Sequence, residues 1–189
     1  DIKPLLRVIR AKFLILSIFI GLVGGSLALN QGSFDLISFI LGFCILIFLH
    51  ITVNSLNAVS DAKRGIDKET DKTEFSGGIE TIVKGKIEEK LVKRIGFFFL
   101  IATVPIFVHF SLKLESIVIP IIALVGFISV IGYTDFFARR GLGEISAGIG
   151  LGSLPVFSLY FFQSGTFNPE IIYISALSSI PVFNLLLVN

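Results

Sequence analysis

The chain has 189 residues, of which 53% are hydrophobic and only 16% charged, with a mean hydropathy of +0.90 and a net charge of +2. This composition excludes an ordinary water-soluble domain and a disordered chain, since neither combines so much apolar surface with so few charges. A near-neutral balance gives no basic field for a polyanion, so a lipid bilayer is the expected partner and no nucleic acid is.

In chain order, Lys3, Arg7, Arg10 and Lys12 precede the first apolar run, 13–29. A natural chain begins with Met and this one with Asp1, so its start is expected to have been trimmed. The first run is not a signal peptide, because no cleavage site with a soluble domain follows and further apolar runs do. The second run, 34–54, holds the single Cys44, which has no partner for an intrachain disulfide and reads as a small packed hydrophobe. Segment 55–94 is dense in charges of both signs. Its Ser76-Gly77-Gly78 turn lets backbone amides approach an anion closely, and a solvated, salt-bridged helix is predicted from about Lys86 to Arg94. Four more runs follow at 95–112, 115–132, 145–163 and 170–188, the last two carrying Gly148, Gly150, Gly152, Pro155 and Pro181 for close packing and kinks.

A bilayer span takes about 20 mostly apolar residues. The six runs therefore predict an all-α membrane protein, a multi-span transmembrane helix bundle forming a single domain over 1–189. Placing the N-terminus in the cytoplasm puts 1–12, 55–94 and 133–144 on that side, and with them every Lys and Arg except Lys113. An integral protein of the plasma membrane, with its polar site facing the cytoplasm, is the expectation.

The chemistry gathers where the second run meets water. His50, Asn54, Asn57, Asp61 and Arg64 are spaced so that they fall within about 80° on one helical face. Polar groups at membrane depth are costly and face the bundle interior or a water-filled cavity. Asn57 and Asp61 lie one turn apart, and an amide oxygen beside a carboxylate suits a hard cation such as Mg²⁺, which keeps waters and a substrate phosphate in its shell. His50 has two readings: a group that orients Asn54 or contacts a substrate ring, or a histidine hydrogen-bonded inside the bundle. Tyr133, Arg139, Arg140 and Glu144 form a second polar cluster. Paired arginines hold phosphate oxygens or set topology, and Glu144 suits the start of a helix.

These strings resemble a known family. Asn57-Ala-Val-Ser-Asp61-Ala-Lys63-Arg64-Gly65-Ile-Asp67 is similar to the first aspartate-rich motif of the UbiA superfamily of intramembrane prenyltransferases. The closest branch prenylates 1,4-dihydroxy-2-naphthoate in menaquinone synthesis. Lys72-Thr-Glu-Phe-Ser-Gly-Gly78 resembles that branch's R-T-P-F-S-G-G string. Tyr133-Thr134 and Arg140-Gly-Leu-Gly-Glu144 resemble its second cytoplasmic loop, and Gln163-Ser-Gly165 its Q-T-G. Two departures stand out. Ala58 occupies a position where the family carries Asp, and the chain stops at Leu187-Val188-Asn189, where the second aspartate-rich motif would open. About nine spans are expected of the family, so this chain is expected to be its N-terminal two-thirds.

The resemblance implies an enzyme that transfers a polyprenyl group from a polyprenyl diphosphate to an aromatic acceptor. Asn57 and Asp61 are then catalytic and metal-holding. Lys63, Arg64, Arg139, Arg140 and Tyr133 meet the diphosphate, and Asn54, His50, Asp67 and Glu144 serve the acceptor or support the site. Alternatives are the same fold with a glycerol-lipid, tetrapyrrole or other aromatic acceptor, a non-catalytic remnant, and a transporter subunit. A transporter predicts polar residues along several spans, whereas these span interiors are almost wholly apolar.

Overall fold

The protein is described by a computed structural model covering residues 2–64 and 78–187. Gly65, Asp67, the string from Lys72 to Gly77 and the terminal Val188 and Asn189 lie outside the described residues.

The described chain is helical throughout. Helix α1 (Lys3–Val8) leads through a tight turn at Ala11–Phe13 into α2 (Leu14–Asn30). Helix α3 (Leu36–Arg64) is the longest, followed by the short α4 (Gly78–Val83) and by α5 (Glu89–Leu114). Helix α6 (Val118–Gly132) continues through a π-helical turn at Tyr133–Phe137 and a 3-10 turn at Ala138–Arg140. Helix α7 (Gly143–Ala147) joins α8 (Leu154–Ser164) through a second π-helical stretch, Gly148–Ser153. Helices α9 (Pro169–Leu177) and α10 (Ser179–Leu187) complete the bundle. Among the described residues, six helical stretches are long and apolar enough to cross a membrane: Ala11–Asn30, Leu36–Arg64, Glu89–Leu114, Val118–Arg140, Gly143–Ser164 and Pro169–Leu187.

Two boundaries differ from the sequence reading. The apolar run ends at 54, but its helix continues to Arg64, in keeping with the single helical face from His50 to Arg64, as nothing from Ser55 to Arg64 breaks a helix and Lys63 and Arg64 suit its C-terminal dipole. At 29 residues, α3 is about 43 Å long, well over the roughly 30 Å of hydrocarbon, so its last turns stand clear of the apolar layer. The solvated, salt-bridged helix expected from about Lys86 to Arg94 starts at Glu89 and forms the first turns of α5 rather than a helix of its own. The chain turns at Gly85 (φ 66°) and enters α5 at Glu89, which runs unbroken into the third span. Lys63 and Glu89 form an ion pair at 3.1 Å, tying α3 to the start of α5.

Packing is densest where small residues let helices touch. A Cβ added at Gly24 of α2 would lie 2.7 Å from Leu159 Cβ and 3.0 Å from the Val156 carbonyl oxygen on α8. One added at Gly152 would lie 2.6 Å from the Ser178 carbonyl oxygen, between α9 and α10. Close backbone approach of this kind drives helix association where lipid removes the hydrophobic contribution. At the end remote from the basic residues, Ile45, Phe107, Phe110, Ile119, Ile122, Phe161 and Phe162 form one buried cluster, with the Phe110 and Phe162 rings stacked at 4.2 Å. A smaller cluster of Val8, Ala58, Val59 and Val92 holds α1, α3 and α5 together at the basic end.

Candidate functional site

Helix α3 carries one wall of an internal cavity of about 140 Å³. Gly42, Ile45, Leu46, Leu49, His50, Val53, Asn54 and Asn57 line it, a stripe spaced alternately three and one apart. From Gly42 to Asn57 the stripe climbs about 22 Å along the helix. Its far end is apolar, closed by Phe107, Ile122 and Phe162, while its near end is polar, with Arg10, His50, Asn54, Asn57, Tyr133 and Ser146. The sequence stripe from His50 to Asn57 therefore faces the bundle interior.

Asn57 sits between two partners. Its Nδ2 donates to Asp61 Oδ2 at 2.6 Å, and its Oδ1 accepts from Thr134 Oγ1 at 3.1 Å. Both Asn57 and Asp61 are half-buried. The expected pair is thus brought together on one helix and is gripped from the π-helical turn after α6. The donor set fits a hard cation. A hydroxyl both donates and accepts, so a half-turn of the Asn57 carboxamide keeps the Thr134 contact and swings Oδ1 beside the Asp61 carboxylate. Two oxygens suit Mg²⁺, which takes one or two protein oxygens and fills its shell with water and phosphate. Among the described residues no group of three or more His, Cys, Asp or Glu gathers as a complete metal cage.

Just outside this pair, Asp135 collects three donors on one oxygen. Ser60 Oγ donates to Asp135 Oδ1 at 3.0 Å, Arg139 reaches it at 3.2 Å, and Arg64 makes a short contact with the same atom. Arg64 and Arg139, expected to meet a diphosphate, are therefore held together by a carboxylate that the sequence reading passed over. The i,i+4 spacing of Asp135 and Arg139 was its available signal, once the segment is known to be helical. Arg140 goes elsewhere: its guanidinium lies 3.8 Å from the centre of the Phe136 ring. Glu144 is half-buried in the first turn of α7, as a helix start favours. Lys63 is engaged by Glu89.

His50 and Asn54 are buried and have structural partners. His50 Nδ1 lies 2.7 Å from Ser17 Oγ on α2, so the second reading of this histidine is the one observed, although it also borders the cavity. Asn54 Nδ2 donates to the Ile9 carbonyl at 2.9 Å and fastens the N-terminal stretch to α3. Tyr133 turns into the cavity wall. Ala58, placed where the resembled family has Asp, is fully buried against Val8 and Val92 rather than presented beside Asn57.

No curated protein and no solved structure matches the chain. The family model of the UbiA prenyltransferase family matches residues 17–189, which include both polar clusters, most of the first span and the other five whole. Agreement over nearly the whole chain, on a bundle of membrane-length helices, shows that the protein belongs to the UbiA prenyltransferase family, intramembrane prenyltransferases that use a prenyl diphosphate.

Proposed function

We infer that the protein transfers a polyprenyl group from its diphosphate to 1,4-dihydroxy-2-naphthoate in menaquinone biosynthesis, with Mg²⁺, at the cytoplasmic face of the plasma membrane. The observation that carries this reading is the Asn57–Asp61 pair set at the polar end of a cavity whose other end is apolar. Orientation follows from the basic residues that share that end, under the positive-inside rule.

The parts divide the work by their chemistry. Asn57 and Asp61 hold the metal, and Thr134 holds Asn57. Bound Mg²⁺ supplies positive charge to the diphosphate oxygens. Arg64 and Arg139, gathered by Asp135 beside the Asn57–Asp61 pair, meet the negative charge that grows as the allylic C–O bond breaks and its electron pair leaves with the diphosphate. The apolar wall from Gly42 to Leu49 keeps water from the allylic cation, so an electron-rich ring carbon attacks it and then loses its proton.

The test uses membranes carrying the protein, a labelled polyprenyl diphosphate, 1,4-dihydroxy-2-naphthoate and Mg²⁺. The expected result is metal-dependent prenylation that Asp61→Ala abolishes. Turnover of other acceptors only would move the substrate and leave the reaction. Diphosphate release unaffected by Asp61→Ala would refute the metal site.

A further inference from the structure

Helix α5 carries a charged patch that the prenyl-transfer site does not use. Lys90, Lys93 and Arg94 lie in its first turns, and with Phe97, Phe98 and Ile101 they line an open groove of about 450 Å³ on the outside of the bundle. At 100° per residue these six fall within about 140° on one helical face. The opposite face, with Val92, Gly96, Leu100 and Thr103, is the one buried in the bundle. Lys90, Lys93 and Arg94 are exposed, and among the described residues no carboxylate pairs with any of them. Glu89, the acid beside them, is taken by Lys63.

Depth assigns the groove to the membrane surface. Lys93 and Lys113 are separated along α5 by about 30 Å, the thickness of the hydrocarbon layer. Lys113 pairs with Asp35 at the far end of the bundle. With Lys113 at one interface, Lys93 and Arg94 stand at the other, at the level of the lipid phosphates. Phe97, Phe98 and Ile101 lie about 5–10 Å deeper, where the glycerol and the first acyl carbons run. The groove is therefore basic at headgroup depth and apolar just below it. Lys93 Nζ leans toward the apolar part, 6.0 Å from the centre of the Phe97 ring, which keeps its charge over the groove.

Charge and depth together select the occupant. A second copy of the chain would set the same three cations against each other across a two-fold axis, where like charges repel. A soluble acidic protein cannot reach Phe98 and Ile101, which are 67% and 65% exposed but lie below the phosphates. A phospholipid with net negative charge matches both halves at once.

We propose that this groove binds an anionic phospholipid of the bilayer, with its headgroup phosphate among Lys90, Lys93 and Arg94 and its acyl chains along Phe97, Phe98 and Ile101. The end of the bundle that carries the groove is the one that the positive-inside rule sends to the cytoplasm, whose leaflet holds the anionic lipids. The groove shares no residue with the internal cavity, so the proposal is independent of the reaction catalysed there.

The experiment uses the absence of Trp from the sequence, since one introduced Trp then reports on one place. Phe98→Trp puts it in the groove, and Phe19→Trp puts a control on the exposed face of α2. The full chain is reconstituted in mixtures of phosphatidylcholine and phosphatidylglycerol, with bromine on the acyl chains of one lipid or the other, and quenching is followed against composition. At Phe98→Trp, phosphatidylglycerol should be favoured by about ten- to one-hundredfold, the combined effect of three basic residues on an anionic lipid. At Phe19→Trp the two lipids should quench nearly alike. Adding Lys90→Gln, Lys93→Gln and Arg94→Gln to Phe98→Trp should reduce its preference to that of the control. With all three bases in place, 1 M salt shortens the Debye length to about 3 Å and should lower the preference several-fold, a check that does not depend on the folding of the triple variant. Equal preference at the two Trp positions, a preference that survives the triple substitution, or one indifferent to salt overturns the proposal. So does displacement of brominated phosphatidylglycerol by inorganic phosphate, which would make the groove a site for a free anion. Displacement by geranylgeranyl diphosphate at low mole fraction would give the groove to the prenyl donor and likewise overturn the phospholipid assignment.

Discussion

Ala58 separates two accounts of this site, and substitution by aspartate decides between them. If the position simply lacks a metal ligand that the wider family carries, Ala58→Asp should strengthen metal binding. The structure argues for the reverse. Ala58 is 0% exposed and touches the Val8, Val59 and Val92 cluster, with Ile82 and Ile87 at its edge. A carboxylate there has no partner in that cluster, and the effective penalty for burying an unpaired charge is several kcal/mol. The added volume in a filled contact costs about 1–3 kcal/mol more. Relaxation of α1, which is short, offsets part of this, so we expect Ala58→Asp to lose about 3–5 kcal/mol. Equilibrium unfolding in mixed micelles measures it, with Ala58→Asn as the control of similar volume and no charge. The asparagine variant should lose about 2 kcal/mol less than the aspartate variant, since the difference is the charge. Stability of Ala58→Asp within about 0.5 kcal/mol of wild type, accompanied by a lower Mg²⁺ requirement, would refute the reasoning.

Three further outcomes follow from named contacts. Thr134→Val removes the hydroxyl that holds Asn57, a loss of about 1 kcal/mol, and should raise the Mg²⁺ concentration for half-maximal activity about fivefold, while Thr134→Ser stays near wild type. Asp135→Asn releases Arg64 and Arg139 from a carboxylate that is 67% exposed; stability should change by less than about 1 kcal/mol and the KM for polyprenyl diphosphate should fall about two- to fivefold, an effect that vanishes in high salt. Asp35, before α3, has its carboxyl held below the usual 3.8, first by the Ser38 backbone N–H at 2.6 Å and also by the Ser38 side chain and Lys113. Its folded pKa is depressed, so its contribution is fully present above pH 3.8 and is lost as pH falls through the lower folded value. The unfolding midpoint of wild type should therefore drop on acidification below about pH 4 more steeply than that of Asp35→Asn, and equal slopes would show that the cap carries nothing.

What the sequence disclosed follows from which physical signals are local. The spans were legible because an apolar run of bilayer length needs no knowledge of its neighbours. The α3 stripe was legible for a similar reason, since periodicity alone puts His50, Asn54, Asn57 and Asp61 on one face. Hydropathy measures polarity rather than helicity, however, so the spans read from it end at 54 and 132, short of the polar turns of α3 from Ser55 to Arg64 and of the fourth span from Tyr133 to Arg140. Asp135 was lost with them. The partners of His50 and Asn54 lie 33 and 45 residues away, and no local pattern reports contacts at such separations. Arg10 gave no signal beyond its charge, because the left-handed backbone that aims it is imposed by Ile9 and Asn54 and not by any preference of arginine. Ala58 stood out as a missing aspartate, and only the packing of α1 and α5 against it shows why an alanine fits there.

The π-helical turn at Tyr133–Phe137 explains how one short segment serves the whole site. Tyr133, Thr134 and Asp135 are consecutive, yet Tyr133 lines the cavity, Thr134 bonds Asn57, and Asp135 reaches Ser60 and Arg64. In an α-helix, successive side chains diverge by about 100°, so three in a row cover some 200° and the outer two face nearly opposite ways. A π turn closes its hydrogen bonds one residue later, so it holds one residue more than an α turn and re-aims the side chains around it. Such turns are frequent at functional sites. The Asn57–Asp61 pair on α3 and the arginines beside it are thereby set by the same turn. A displacement of that turn moves the Asn57 carboxamide and the Arg64 guanidinium together, so metal affinity and diphosphate affinity should change in concert when its register is altered and independently when only Thr134 or only Asp135 is replaced.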